Sequence, residues 1–448
     1  MFAATVSRWT IHHFGAALAF FLLAQFALVA GIAQPLTQPL APLTLATVHL
    51  LTIGWLTILM LGALHQFVPV ITAQGKVAGN SALVSLLAIV VGLAGMEAGF
   101  AAMDGRLSPR VLVALPLGGA LVLAGAGIAV VSLARTLWRA RPLPFAARFL
   151  AAGLVFLVAA LGMGIVLGGA LSAPGAVMWP AASTVGLRLH LLAGFAGWFT
   201  LTAIGVSYRL ISMFTLAPEE RGHLGTAILA LSIGGVAVAW LIGLLGAIGA
   251  PVPDAAFAAA AIVTGLGVTL YLIDMVRLYR ARRRRKLELN TAMAIPALAA
   301  LALSLPLAAS LCVGAASATT IGALVYLFLF GWLSGLGLSQ LYKIVPFLTW
   351  LERYGSLLGK QAVPRVQDLV DEQRDRRWFI LFFASVAAAT VFFALGWPAL
   401  WRLAALGHLL ATLMIVRALW LVRRRAPREG LTSAPPDLAL RARPPFAT

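Results

Sequence analysis

The chemistry this chain could do rests on a few polar residues set in apolar sequence: His49, His190, Glu97, Arg188, Arg402 and five further histidines. An imidazole can ligate a transition metal or a haem iron and can pass a proton near neutral pH. A carboxyl group in an apolar segment can orient an imidazole, relay a proton or hold a cation. His49 and His190 both stand near the start of a long apolar stretch, five residues before Gly54 and seven before Gly197. With a helix rise of about 1.5 Å per residue, this puts them at one depth to within roughly 3 Å. At about 100° per residue their directions differ by some 200°. That offset suits a cofactor or metal clamped between two related helices, and it equally allows the rings to turn apart. Glu97 falls at the same level, so His49, His190 and Glu97 are the candidate metal ligands, and His49 with His190 the candidate haem ligands.

The remaining histidines carry plainer expectations. His12, His13 and His223 lie at helix ends and read as interfacial side chains, as does His65 near the end of its stretch. His408 falls in the outer third of the last stretch and reads as a buried imidazole bonded to a neighbouring carbonyl. The lone cysteine, Cys312, excludes an intramolecular disulfide and any multi-cysteine metal or iron–sulfur site.

The elements that must hold these residues are transmembrane helices. A chain of 448 residues that is 61% hydrophobic and 10% charged does not fold as an ordinary water-soluble domain. A helix that crosses a bilayer needs about 20 mostly apolar residues. Twelve such stretches are centred near residues 23, 58, 91, 122, 157, 199, 236, 266, 300, 332, 386 and 411, numbered here helices 1 to 12. The fold expected is all-α and polytopic, one membrane domain over residues 1–425 with a cytoplasmic loop at 351–375 and a basic tail at 426–448. The first stretch is too long for a signal-peptide core and is kept as helix 1.

The net charge of +19 is a statement about topology before it is one about partners. Taken by connecting segment, 29 of the 33 Lys and Arg fall on one side of the twelve stretches, and only Arg106, Arg110, Arg188 and Arg402 on the other. Both termini are therefore expected in the cytoplasm of a bacterial inner membrane. The run "RARRRRK" at 280–286 reads as a topology signal and an anionic-lipid contact rather than a nucleic-acid site.

The chain also repeats itself. "GWLTILMLGALHQFVPVI" from Gly54, "GWFTLTAIGVSYRLISMF" from Gly197 and "GWLSGLGLSQLYKIVPFL" from Gly331 align, with His65, Tyr208 and Tyr342 each eleven residues after the glycine. A second anchor lies in helices 4, 8 and 12, where Gly125, Gly267 and Gly407 each precede Arg135, Arg277 and Arg417 by ten residues. These anchors predict three copies of a four-helix unit, roughly 1–140, 141–286 and 287–425. Four helices per copy leave every copy in one orientation, so the copies are expected as three arcs about an axis normal to the membrane, with helices 2, 6 and 10 innermost. The repeated glycines read as close-packing positions.

Twelve helices in three four-helix arcs, together with "HLLTIGWL" on helix 2 and "HLLAGFAGWFTLTAIGVSYRLISMF" on helix 6, resemble the catalytic subunit I of the haem-copper oxidase and nitric oxide reductase superfamily. The resemblance implies haem, with ligand histidines on helices 2 and 10, and a partner metal held from helices 6 and 7. His49 matches the helix 2 ligand and His190 approximates the helix 6 ligand. Arg402, near the connection between helices 11 and 12, matches arginines that bind haem propionates in that family, and Arg188 is a second candidate. Helix 10 and the outer half of helix 7 contain no histidine. Reduction of oxygen or nitric oxide by the family's mechanism is therefore not expected.

Three readings stay open at this level. The first is a subunit I-like membrane protein without a complete binuclear site, binding a b-type haem or a transition metal between helices 2 and 6 for electron transfer or sensing. The second is a proton- or metal-coupled transporter on the same scaffold. The third is a non-catalytic assembly partner of a respiratory complex. Membrane lipids and a respiratory or electron-transfer subunit are the expected partners.

Overall fold

A computed structural model of the chain describes residues 8–74, 80–173, 185–218, 222–312, 314, 316–360 and 362–424. The expected basic tail at 426–448 lies outside the described residues. The described chain is all helical, with no strand, and twelve of its helices are long and apolar enough to cross a membrane. They are helix 1 (Trp9–Val29), helix 2 (Pro42–Ile71), helix 3 (Ser81–Met103), helix 4 (Pro109–Arg139), helix 5 (Phe145–Ser172), helix 6 (Val185–Thr215), helix 7 (Gly222–Ala247), helix 8 (Ala255–Arg280), helix 9 (Leu289–Leu311), helix 10 (Ala318–Tyr354), helix 11 (Glu372–Ala394) and helix 12 (Pro398–Arg424). In lipid every backbone polar group needs a partner within the protein, which a helix supplies from its own segment. Large apolar side chains such as Leu117, Val155, Leu303 and Leu403 point outward, as lipid contact requires. Helix 10 runs on to Tyr354, so the connection to helix 11 is shorter than the expected loop at 351–375.

Helices 2, 6 and 10 are the inner helices. Their most apolar windows are 72%, 61% and 72% buried, against 22% for helix 8. All three also break their α-helical pattern at the same place. A π-helical segment covers Leu50–Thr57, Leu192–Leu201 and Leu327–Ser334, each containing the Gly-Trp pair of the repeat. A π segment inserts a residue per turn and rotates everything beyond it, and such segments collect at functional sites.

The repeat anchors have a common physical cause. A Cβ on Gly54 would lie 2.7 Å from the Phe20 ring of helix 1, and Gly197 is crossed in the same way by Phe156 of helix 5. In the third copy Gly331 meets Ala300 of helix 9 at 2.8 Å. The second anchor is a glycine laid on a serine in each copy: Gly125 on Ser85, Gly267 on Ser232 and Gly407 on Ser385. Lipid offers apolar side chains no advantage from burial, so close approach through small residues is what holds helices together there.

The three inner helices meet in cyclic order. Trp55 Nε1 donates to Ser334 Oγ at 2.9 Å, and Trp198 Nε1 donates to Thr57 Oγ1 at 3.1 Å. Thr57, Thr200 and Ser334 each lie three residues after their repeat glycine, so the first copy bonds to the third and the second to the first. The remaining link is open. Trp332 Nε1 is buried with no hydrogen-bond partner among the described residues, while the Thr200 hydroxyl donates to the Phe195 carbonyl at 2.7 Å. A cavity of about 70 Å³ between these helices is lined by the equivalent triples Leu59, Thr202, Leu336 and Phe67, Leu210, Ile344.

The open link yields a stability test. Trp55 and Trp332 are both fully buried, so replacing either by Phe removes similar volume. Trp55→Phe also leaves Ser334 Oγ without its donor, and is expected to destabilise by about 1–3 kcal/mol more than Trp332→Phe. Thermal unfolding of the two variants in one detergent checks this; equal losses would mean that the Trp55 bond contributes nothing.

Candidate functional site

His49 is the last residue of the α-helical start of helix 2, directly before the π segment. Its Nδ1–H donates to the Leu45 carbonyl at 2.7 Å. His190 of helix 6 donates its Nδ1–H across to the Ala160 carbonyl of helix 5 at 2.8 Å. Gly164, one turn along helix 5, leaves the space that the His190 ring needs, since a Cβ there would lie 3.2 Å from Cε1. With both Nδ1 atoms committed as donors, each imidazole is left with its lone pair on Nε2, the form that ligates a metal.

The structure brings these two rings together. Their centroids are 6.4 Å apart with 26° between planes, and both line one cavity of about 320 Å³. Phe100 packs its ring 5.2 Å from His49. The rest of the wall is apolar, with Met96 and Met103 of helix 3, Val122 of helix 4 and Leu161 of helix 5. Leu40 and Leu187 line it and are themselves exposed, so the cavity reaches the surface at the end of the bundle where helices 2 and 6 begin.

Haem and bare metal are tested by distance and donors. Two imidazoles on opposite sides of one metal ion, with bonds of about 2.0–2.1 Å and about 1.1 Å from nitrogen to ring centre, hold their centroids about 6.3 Å apart, whereas on a tetrahedral ion the separation is about 5.1 Å. The observed 6.4 Å fits the opposed arrangement. Apolar walls and a cavity above about 300 Å³ suit a flat organic ligand. A closed site of protein ligands is not assembled: among the described residues no group of three or more His, Cys, Asp or Glu is placed to hold a metal ion.

The other candidate residues stand apart from the cavity. Glu97 does not line it, and Glu97 Oε1 is buried without a hydrogen-bond partner among the described residues. Arg188 is exposed next to Leu187 at the rim. Arg402 is exposed too, but its guanidinium lies over Gly31 in the connection between helices 1 and 2.

Three histidines differ from their expected roles. His13 is fully buried rather than interfacial, because Gly62 of helix 2 gives it room to pack inside. His65 is largely enclosed beside it, with ring centroids 5.8 Å apart. His408 is buried as expected but bonds to side chains instead of a carbonyl: Nδ1–H donates to Gln25 Oε1 at 2.7 Å, and Nε2 accepts from the Tyr326 hydroxyl at 2.5 Å. Tyr326 stands five residues before Gly331, the position of His49 before Gly54. Counting back from the repeat glycine would have found it. Met96 and Met103, seven residues apart on one face of helix 3, carry no sequence signal that separates them from ordinary core residues.

No protein-family model matches the chain, and no curated protein matches it.

Proposed function

We propose that the protein is a non-catalytic, haem-binding electron-transfer protein of a bacterial inner membrane, built as three pseudo-threefold-related four-helix arcs on the plan of haem-copper oxidase subunit I. The observation that carries the reading is the His49–His190 pair, 6.4 Å between centroids beside an apolar cavity. His49 and His190 would hold an iron porphyrin, which would supply one-electron transfer there. Their rings are fixed in place by the Nδ1–H bonds to the Leu45 and Ala160 carbonyls. Apolar walls exclude water and keep the redox site in low dielectric. Arg188, exposed next to Leu187 at the rim, would supply positive charge to an anionic group held there. The excess of Lys and Arg at the opposite end supports termini in the cytoplasm, and a respiratory or electron-transfer subunit is the partner that such a site requires.

A dithionite-reduced minus oxidised absorption spectrum of the purified protein tests the reading. The expected result is the sharp α-band of a six-coordinate b-type haem at about one equivalent per chain, unchanged by carbon monoxide. A featureless spectrum from folded protein expressed with adequate haem supply would overturn it.

A further inference from the structure

We propose that His13 and His65 form a second metal site, in which one monovalent d¹⁰ ion, Cu(I), is held between their Nε2 atoms at the end of the bundle rich in Lys and Arg. The inference does not rest on the haem reading. His13 Nδ1–H donates to the Trp9 carbonyl at 2.8 Å and His65 Nδ1–H to the Leu61 carbonyl at 2.7 Å. Each ring is thereby fixed in the tautomer that carries its lone pair on Nε2. Both Nε2 atoms are enclosed by protein, and neither has a hydrogen-bond partner among the described residues. Two buried nitrogens without partners among the described residues thus belong to neighbouring rings on different helices, with centroids 5.8 Å apart.

Geometry and charge select the ion. With metal–nitrogen bonds of about 2.0 Å and about 1.1 Å from nitrogen to ring centre, a linear N–metal–N unit sets centroids about 6.2 Å apart. The observed 5.8 Å corresponds to a bend of roughly 40° from linear. Zinc demands four ligands, and no carboxylate or thiolate joins the two imidazoles to make even a set of three among the described residues. The cost of burying an ion rises with the square of its charge, so two buried neutral ligands favour a monovalent ion. Imidazole is a good donor to copper, and two-coordination is acceptable to a filled d shell. Space separates this site from the other pair, because His49 and His190 open on a cavity of about 320 Å³ whereas the His13 and His65 nitrogens are enclosed.

The test uses the full chain in detergent, reduced with ascorbate and equilibrated with Cu(I) buffered by bicinchoninate. Wild type is expected to retain one Cu(I), with an X-ray absorption spectrum of two nitrogen neighbours and no sulfur. His13→Ala and His65→Gln are each expected to weaken retention at least tenfold while thermal unfolding shows that they remain folded. The His49→Ala/His190→Ala double variant is expected to retain the ion. Absence of Cu(I) from wild type, sulfur neighbours, or equal retention by the folded His13→Ala variant would overturn the site, and the wild-type spectrum decides even where a variant does not fold. Cu(I) bound without any haem leaves this site standing and removes the haem reading; haem bound without Cu(I) does the reverse.

Discussion

Replacing either His49 or His190 by alanine is expected to abolish the reduced-minus-oxidised haem signal, with a loss near complete for each single change. Their imidazoles line the cavity, and among the described residues no third histidine does. The loss should occur without unfolding. The partners given up are single backbone carbonyls, Leu45 and Ala160, which already serve their own helices, so each change is expected to cost only about 1–2 kcal/mol of stability. His49→Met gives the sharper readout, because a thioether can replace an axial imidazole and a Met/His pair raises the reduction potential. That variant is expected to keep part of the haem with its midpoint shifted upward, a result that a merely structural histidine would not produce. His65→Ala is expected to leave the haem spectrum unchanged, since His65 belongs to the opposite end of helix 2. Stoichiometric haem in a His49→Ala/His190→Ala double variant would remove the site.

Much of this architecture is legible in the residues, and the reasons differ from element to element. The twelve spans are readable because each must be apolar over its whole length, a requirement with no alternative in lipid. The anchors Gly54, Gly197 and Gly331 are readable because a side chain there would strike the neighbouring helix, so that position repeats while its surroundings drift. Depth placed His49 with His190, but direction did not. Whether the rings converge depends on the π segment that begins just beyond them, and a π insertion leaves no trace in a pattern where nearly every residue is apolar. His13 was hidden for a related reason. Position near a helix end suggests an interface, whereas its burial is decided by Gly62 on another helix, which only packing reveals.

At five residues before the repeat glycine the three copies carry His49, Leu192 and Tyr326. In the third copy the Tyr326 hydroxyl bonds to His408, His408 bonds to Gln25, and Thr412 donates to the same Gln25 oxygen at 3.3 Å. Phe393 and Trp401 pack around Tyr326, with ring centroids 6.2 and 6.1 Å away. Tyr326 spends its hydroxyl on an internal side chain, while the bond His49 makes is from Nδ1 to the Leu45 carbonyl. Tyr326 thus ends in a packed network of side chains, whereas His49 lines a cavity.

Gly118→Ala is expected to be among the most damaging single-methyl changes in the bundle. A Cβ at Gly118 would lie 2.5 Å from the Gly92 carbonyl oxygen and 2.7 Å from the Met96 nitrogen, and these are backbone atoms that no rotamer change can move aside. The reverse contact is as close, because a Cβ on Gly92 would meet the Gly118 oxygen and the Val122 nitrogen, each at 2.7 Å. Relief requires helices 3 and 4 to separate, which gives up their contact along Gly92, Gly95 and Gly99. Overpacking of this kind costs about 1–3 kcal/mol, and the upper end applies where backbone meets backbone. Met96 and Phe100 of helix 3 and Gly119 and Val122 of helix 4 wall the cavity, so haem content is expected to fall together with the unfolding temperature. Gly127→Ala on the same helix is the control. Nothing lies within 4 Å of a Cβ at Gly127, and alanine there is expected to be neutral or stabilising by about 0.5–1 kcal/mol through helix propensity. Thermal unfolding and haem stoichiometry of the two variants, measured side by side in one detergent, check the pair. If Gly118→Ala keeps wild-type stability and haem, helices 3 and 4 do not approach through their backbones, and the wall of the cavity is not held by that contact.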